Sequence, residues 1–174
     1  FHAIFGVYMW SLIQNNADPL LQVVGFGDRT AYEAARPNEM IWTRLPTDFG
    51  SAGYSTRREQ AIVEHLGLLE QDLPSLFDYW LAPSSVLRQY LWAHREEVVA
   101  TARQLVQVLS AEAVRRVLRY LVGSYWARYT GWPDMLVYNG TSYFFAEIKS
   151  SRDKLREDQK RWIQANATDL KLPF

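Results

Sequence analysis

The sequence predicts an α/β domain: a sheet flanked by helices, with one hairpin of it visible and a largely helical stretch ahead of that hairpin. Three observations predict it. Capped segments with helical spacing recur between about residues 55 and 128. The dipeptide Asn139-Gly140 then separates "MLVY" from "TSYFFAEIK", two runs rich in β-branched and aromatic residues. Helical spacing returns after Ser151. The 174 residues are 48% hydrophobic and 14% aromatic, enough for one ordinary domain with a core and unlike a disordered chain.

Phe1 to Ile13, "FHAIFGVYMWSLI", reads as a helix packed on most sides; it is too short to span a bilayer and lacks the basic start of a signal peptide. Asn15, Asn16, Asp18 and Pro19 end it. Residues from about 25 to 54 carry Gly, Pro, Asn and Asp at short intervals and read as a long irregular connection. Thr56 with Glu59 forms a capping box for the next helix, whose Ala61, Ile62, His65, Leu66 and Leu69 recur at helical spacing. Pro74 and Pro83 bracket a short piece, and Ser84 or Ser85 caps a helix through about Ala93. "HREEVVATARQLVQVL" is a further helix. Ser110 caps "AEAVRRVLRYLVGSYWARY", which places Val114, Val117, Leu118, Leu121 and Val122 on one face. After the hairpin, Asp153 is the expected N-cap of "DKLREDQKRWIQANA", with Leu155, Trp162 and Ile163 inward.

Composition excludes several chemistries. With no cysteine there is no disulfide, zinc-thiolate site or cysteine nucleophile. The three histidines, His2, His65 and His94, lack metal-ligand spacing. The formal net charge of zero argues against binding nucleic acid by bulk charge, but Arg115 to Arg161 holds ten Lys or Arg against five Asp or Glu.

The hairpin carries the chemistry. With Asn139-Gly140 as a two-residue turn, Tyr138 faces Thr141 and Asp134 faces Phe145. Side chains alternate, so Asp134, Glu147 and Lys149 share one face, with the two carboxylates diagonal neighbours about 7–8 Å apart along the backbone. Two carboxylates with water make a hard oxygen site suited to Mg²⁺ or Mn²⁺, and the Ile148 carbonyl can add a ligand. Lys149, with no lone pair, stands beside the ion to hold or help deprotonate water, or to offset charge on phosphate. The set reads as metal-dependent phosphodiester hydrolysis by in-line attack of water. Glu-x-Lys at a strand end is by itself most often an exposed ion pair; Pro133-Asp134, the turn and the thirteen-residue spacing favour the catalytic reading.

Gly131, Pro133, Asp134, Glu147, Ile148, Lys149, Leu155, Gln159 and Trp162 resemble, in order and spacing, the VRR-NUC (virus-type replication-repair nuclease) domain, a branch of the PD-(D/E)xK nucleases. "FHAIFGVYMWSLI", "STRREQAIVEHLG" and the helical insertion are similar to the Fanconi-associated type within that family. The resemblance implies a restriction-endonuclease-like PD-(D/E)xK core, a small mixed sheet flanked by helices, in a single domain over 1–174. It divides into an opening helix (1–14), a helical insertion (55–128) and a catalytic hairpin with its following helix (131–166). It implies a structure-specific deoxyribonuclease that cuts 5′ flaps and branched DNA with Mg²⁺ or Mn²⁺ in interstrand-crosslink repair. Asp134 and Glu147 would be ligands, Lys149 the helper of water, and Gln159 the positioner of water or phosphate. That family also has a Glu just before the opening helix and a strand after the Trp162 helix; against that pattern the chain reads as truncated at both ends.

Arg57 and Arg58, placed in the first turn of a helix, are candidate phosphate contacts. Arg152 and Lys154, beside the hairpin, are further candidates for DNA binding, and Arg115, Arg116 and Arg119 form a basic helix surface. Trp126 and Tyr129 read as core, and Trp132 as the aromatic that meets substrate. The expected partner is DNA, with no membrane and no small-molecule cofactor, in an intracellular setting: nucleus, or bacterial cytoplasm. The rivals are a phage- or restriction-type nuclease on the same core and a non-catalytic DNA-binding module that retains the fold.

Overall fold

A computed structural model describes residues 1–27, 40–70, 72–86, 96–140 and 142–174. Its axis is α1 (His2–Ile13), a helix with no charged residue and apolar side chains all round. Ile4, Phe5, Val7, Tyr8, Met9 and Ile13 are fully buried, because several of the helices that follow pack around it. Two of its polar side chains bond to distant parts of the chain: Tyr8 Oη donates to the Leu73 carbonyl at 2.7 Å, and Trp10 Nε1 to that of Trp80 at 3.3 Å.

The irregular connection read between residues 25 and 54 is corrected. Strands β1 (Leu21–Gly27) and β2 (Met40–Pro46) form an antiparallel hairpin, with Val24 opposite Thr43 and Gln22 opposite Leu45. Thr43 and Leu45 turn inward, whereas Val23 and Trp42 turn out. Frequent Gly, Pro and Asn hid a period-two pattern. The residues joining these strands lie outside those described.

Helix α2 (Ala52–Arg57) is capped by Ser51, whose Oγ accepts from the Tyr54 amide at 3.3 Å. The expected capping box at Thr56 does not form: Thr56 lies inside α2 and donates to the Ala52 carbonyl. Arg58 interrupts the helix and α3 (Glu59–Gly67) follows, closed by a tight turn at Leu68–Glu70. Helix α4 (Leu73–Val86) runs straight through Pro83. Ser84 is therefore no cap; it is buried and donates to the Leu81 carbonyl. The rest of the helix read as reaching Ala93, together with His94, lies outside the described residues. Helix α5 is Glu96–Val108. Helix α6 (Ala111–Gly123) has Ser110 as its cap, as read, and buries the expected face. It stops at Gly123, and α7 (Tyr125–Arg128) forms a separate turn.

Strands β3 (Met135–Asn139) and β4 (Ser142–Ala146) form the second hairpin. The described residues thus hold two separate antiparallel hairpins rather than one mixed sheet. Leu136 and Phe145 face the core, where Phe145 meets Phe1 at 5.6 Å and Trp162 at 6.0 Å between ring centres. Helix α8 (Glu157–Ala165) and a wide turn at Asn166–Leu170 cover that face. The Pro173 carbonyl then accepts from the Phe145 amide at 2.7 Å, so the C-terminal residues lie along the free edge of β4.

Candidate active site

The second hairpin does not use Asn139-Gly140 as a two-residue turn. Asn139 pairs with Ser142, and Gly140 (φ +65°) opens the connection. Asn139 stays in the ladder with ordinary backbone, and the positive φ falls to the glycine, where it carries no steric cost. The register therefore shifts by two: Leu136, not Asp134, faces Phe145, and Tyr138 faces Tyr143. A shift of two preserves which side chains share a face. One step past the last pair, Met135 with Ala146, Asp134 stands opposite Glu147 rather than diagonal to it. Asp134 Oδ2 accepts from the Ile148 amide at 3.1 Å, which ties the two strand ends together.

Glu147 and Lys149 leave β4 on the same side. Lys149 Nζ lies 2.6 Å from Glu147 Oε1, with the Glu147 side chain 8% exposed and that of Lys149 29%. Gln159 completes the group. It is buried, its Nε2 donates to Glu147 Oε1, and its Oε1 accepts from Lys149 Nζ at 3.1 Å and from the Arg156 amide at 2.9 Å. The last bond caps α8, whose first turn holds Gln159.

That cap corrects the expected one. Helix α8 starts at Glu157, not at Asp153, and Leu155 is an exposed residue ahead of it. Asp153 instead accepts from the Ser150 amide at 3.0 Å, a bond that holds its carboxyl below the usual carboxylate range. Gly131 (φ +81°) supplies the fit between Pro133-Asp134 and α8. A β-carbon there would lie 2.3 Å from the Asp158 carbonyl oxygen.

The remaining candidates separate. Arg57 and Arg58 are not in a helix's first turn: Arg57 ends α2 and Arg58 follows it. Arg57 grips Asp48 (2.8 Å) and Asp18 (3.0 Å), and Arg58 reaches Asp18 at 3.6 Å and the Leu12 carbonyl at 3.3 Å. Their charges answer carboxylates of the fold, Asp18 being wholly buried. No local signal in the sequence links Asp18 to residues about forty positions on. Trp132, read as the aromatic that meets substrate, is half-buried. It donates to the Arg128 carbonyl at 3.1 Å and packs on Phe1 and Trp162 at 4.6 and 5.7 Å. Trp126, read as core, is 45% exposed. Arg152 and Lys154 are exposed beside the hairpin. Arg115, Arg116 and Arg119 line a separate cavity of about 600 Å³, facing Glu59, Glu112 and Asp169.

Glu147, Lys149 and Gln159 are thus bonded to one another at the hairpin end, with Asp134 tied to the neighbouring Ile148 amide and the start of α8 beside them. A family model described as the VRR-NUC domain matches residues 70–169, more than half of the chain, so the chain belongs to the VRR-NUC family. Its activity is accordingly of the nuclease type and its partner is DNA. No curated protein matches the chain. Among the described residues no helix is long and apolar enough to cross a membrane, and no group of three or more His, Cys, Asp or Glu is poised to hold a metal.

Proposed function

We propose that this PD-(D/E)xK-type domain is a Mg²⁺- or Mn²⁺-dependent, structure-specific deoxyribonuclease. It hydrolyses phosphodiester bonds in 5′-flap or branched DNA during intracellular crosslink repair. The observation that carries the reading is the junction of Asp134, Glu147, Lys149 and Gln159 at one hairpin end.

The donor set fits a hard divalent cation. Asp134 Oδ1 and Glu147 Oε2 take no hydrogen bond from the described residues, and sites of this kind use one or two carboxylates with several waters. Asp134, Glu147 and the Ile148 carbonyl would hold the ion. Bound there, it supplies a more acidic water and neutralises phosphate oxygens.

The chain's own residues do the rest. Lys149 brings a positive charge beside Glu147, where it orients the attacking water and offsets charge gathering on the phosphate. Gln159 fixes both partners, since each side-chain end of its amide is already committed to one of them. The exposed Arg152 and Lys154 offer contacts to the phosphates on either side of the cut. The flap preference is supported by the resemblance of α1 and the helical insertion to the Fanconi-associated type.

A panel of end-labelled 5′-flap, 3′-flap, splayed and duplex DNA tests this. With Mn²⁺ the 5′-flap should be cut near its junction, and with chelator nothing should be cut. Equal cutting of all four forms, or cutting in chelator, refutes it.

A further inference from the structure

We infer that the outer face of the β1–β2 hairpin is a stacking site for unpaired DNA, with Trp42 taking a base and Arg44 the neighbouring phosphate. The inference rests on the DNA-directed reading above but concerns a different part of the molecule. Strand alternation turns Val23, Trp42 and Arg44 outward while Thr43 and Leu45 are buried. Trp42 is 68% exposed and Val23 61%. A tryptophan left that far in water keeps a large, flat apolar surface unused.

Beside it opens a cavity of about 470 Å³, walled by Trp10, Gln14, Val23, Trp42, Thr43 and Arg44. Aromatic faces, an amide, a hydroxyl and a guanidinium match a nucleobase on its sugar-phosphate. Arg44 Nη1 donates to the neutral Asn16 side chain, and no carboxylate among the described residues pairs with Arg44. Arg57, Arg103 and Arg119, by contrast, each sit on an Asp or Glu. A cation that no carboxylate among the described residues answers favours a strand of phosphates over an apolar protein surface, and stacking on an aromatic tolerates any base.

The fold also sets the spacing. Gln14 at the end of α1 donates to Thr43 at 2.8 Å, while Phe1 at its start packs on Trp132 and Phe145 under the catalytic hairpin. The twelve residues of α1 span about 18 Å. At roughly 3.4 Å per stacked nucleotide, a single-stranded arm needs about five or six nucleotides to reach from one hairpin to the other.

Fluorescence anisotropy of the whole chain with labelled oligothymidylates of four and fifteen nucleotides, in chelator, tests the inference without cleavage. Trp42→Ala should weaken the fifteen-mer about tenfold and leave the four-mer nearly unchanged, and Trp42→Phe should keep most of the affinity. Arg44→Gln should lower the slope of log Kd against log salt by about 0.7. Circular dichroism and unfolding midpoints matching the parent confirm that these surface variants fold. Wild-type affinity of Trp42→Ala for the fifteen-mer overturns the site, whether or not the protein cuts DNA. Loss of binding in Trp42→Ala, with a parent that cuts no substrate in any metal, upholds the site and sinks the nuclease proposal instead.

Discussion

Gly131 lies directly against the amide of Gln159: a β-carbon on Gly131 would come within 2.8 Å of that nitrogen and 2.3 Å of the preceding carbonyl oxygen. The contact joins the segment that carries Asp134 to the helix that carries Gln159. The obstruction is backbone, which cannot swing aside as a side-chain tip can. Gly131→Ala should therefore cost at least about 2 kcal/mol, the left-handed backbone term of about 1–2 kcal/mol plus the clash. Urea unfolding measures it, and cleavage should fall with the displaced α8. A change under about 0.5 kcal/mol would show that the helix does not rest on this glycine.

Gln159 links Glu147 to Lys149 and caps α8 through the Arg156 amide. Gln159→Ala should slow cleavage or weaken metal affinity by about 10–100-fold. It should also cost about 1 kcal/mol of stability from the lost cap. Gln159→Glu should be worse for cleavage, because it sets a second carboxylate against Glu147. Single-turnover rates across a Mn²⁺ titration separate the two variants; parental rates in both would remove Gln159 from the site.

Arg57 compensates the wholly buried Asp18, so Arg57→Ala should destabilise by about 3 kcal/mol without changing the DNA affinity of the folded protein. Its hydrogen bond to Asp48 holds that carboxyl below its usual range. A depressed carboxylate contributes stability above the unfolded value near pH 3.8 that is lost as pH falls through the lower folded value. Wild-type stability should thus drop below about pH 4, and less steeply in Arg57→Ala. Denaturant midpoints between pH 2.5 and 6 would show it, and parallel curves would contradict it.

His65 stacks on Trp80 at 5.1 Å, and its Nε2 donates to the Tyr8 carbonyl at 2.6 Å. Burial holds its imidazole below the ordinary value of 6.5, against the smaller opposing effect of that carbonyl. The unfolded chain therefore binds the proton first, and stability present above pH 6.5 declines as pH falls toward the lower folded value. His65→Gln should flatten the change in unfolding free energy between pH 7.5 and 5.5. An unaltered slope would place the proton uptake elsewhere.

The grouping of Asp134, Glu147 and Lys149 at the hairpin end was legible because these residues lie close in sequence and obey strand alternation. An error of two in register left Asp134, Glu147 and Lys149 on one face. The α1 core and the Ser110 cap were legible for the same local reasons. Features decided by distant contacts were not. Arg57 and Arg58 look like free cations until Asp18 is folded against them. Trp132 reads from sequence as a substrate aromatic, and only the fold shows part of its surface taken up by Phe1 and Trp162. Helix α8 starts at Glu157, where Gln159 bonds back to the Arg156 amide, while Asp153 bonds to the Ser150 amide ahead of it. The β1–β2 hairpin was hidden by its turn-forming residues.

The most direct test is single-turnover cleavage of a 5′-flap by the parent, Asp134→Ala and Lys149→Ala in Mn²⁺, with flap affinity measured separately in chelator. The predicted result is a loss of about a thousandfold or more in both variants with binding retained within a few-fold. Cleavage by either variant at the parental rate would contradict the assignment of this hairpin end as the active site.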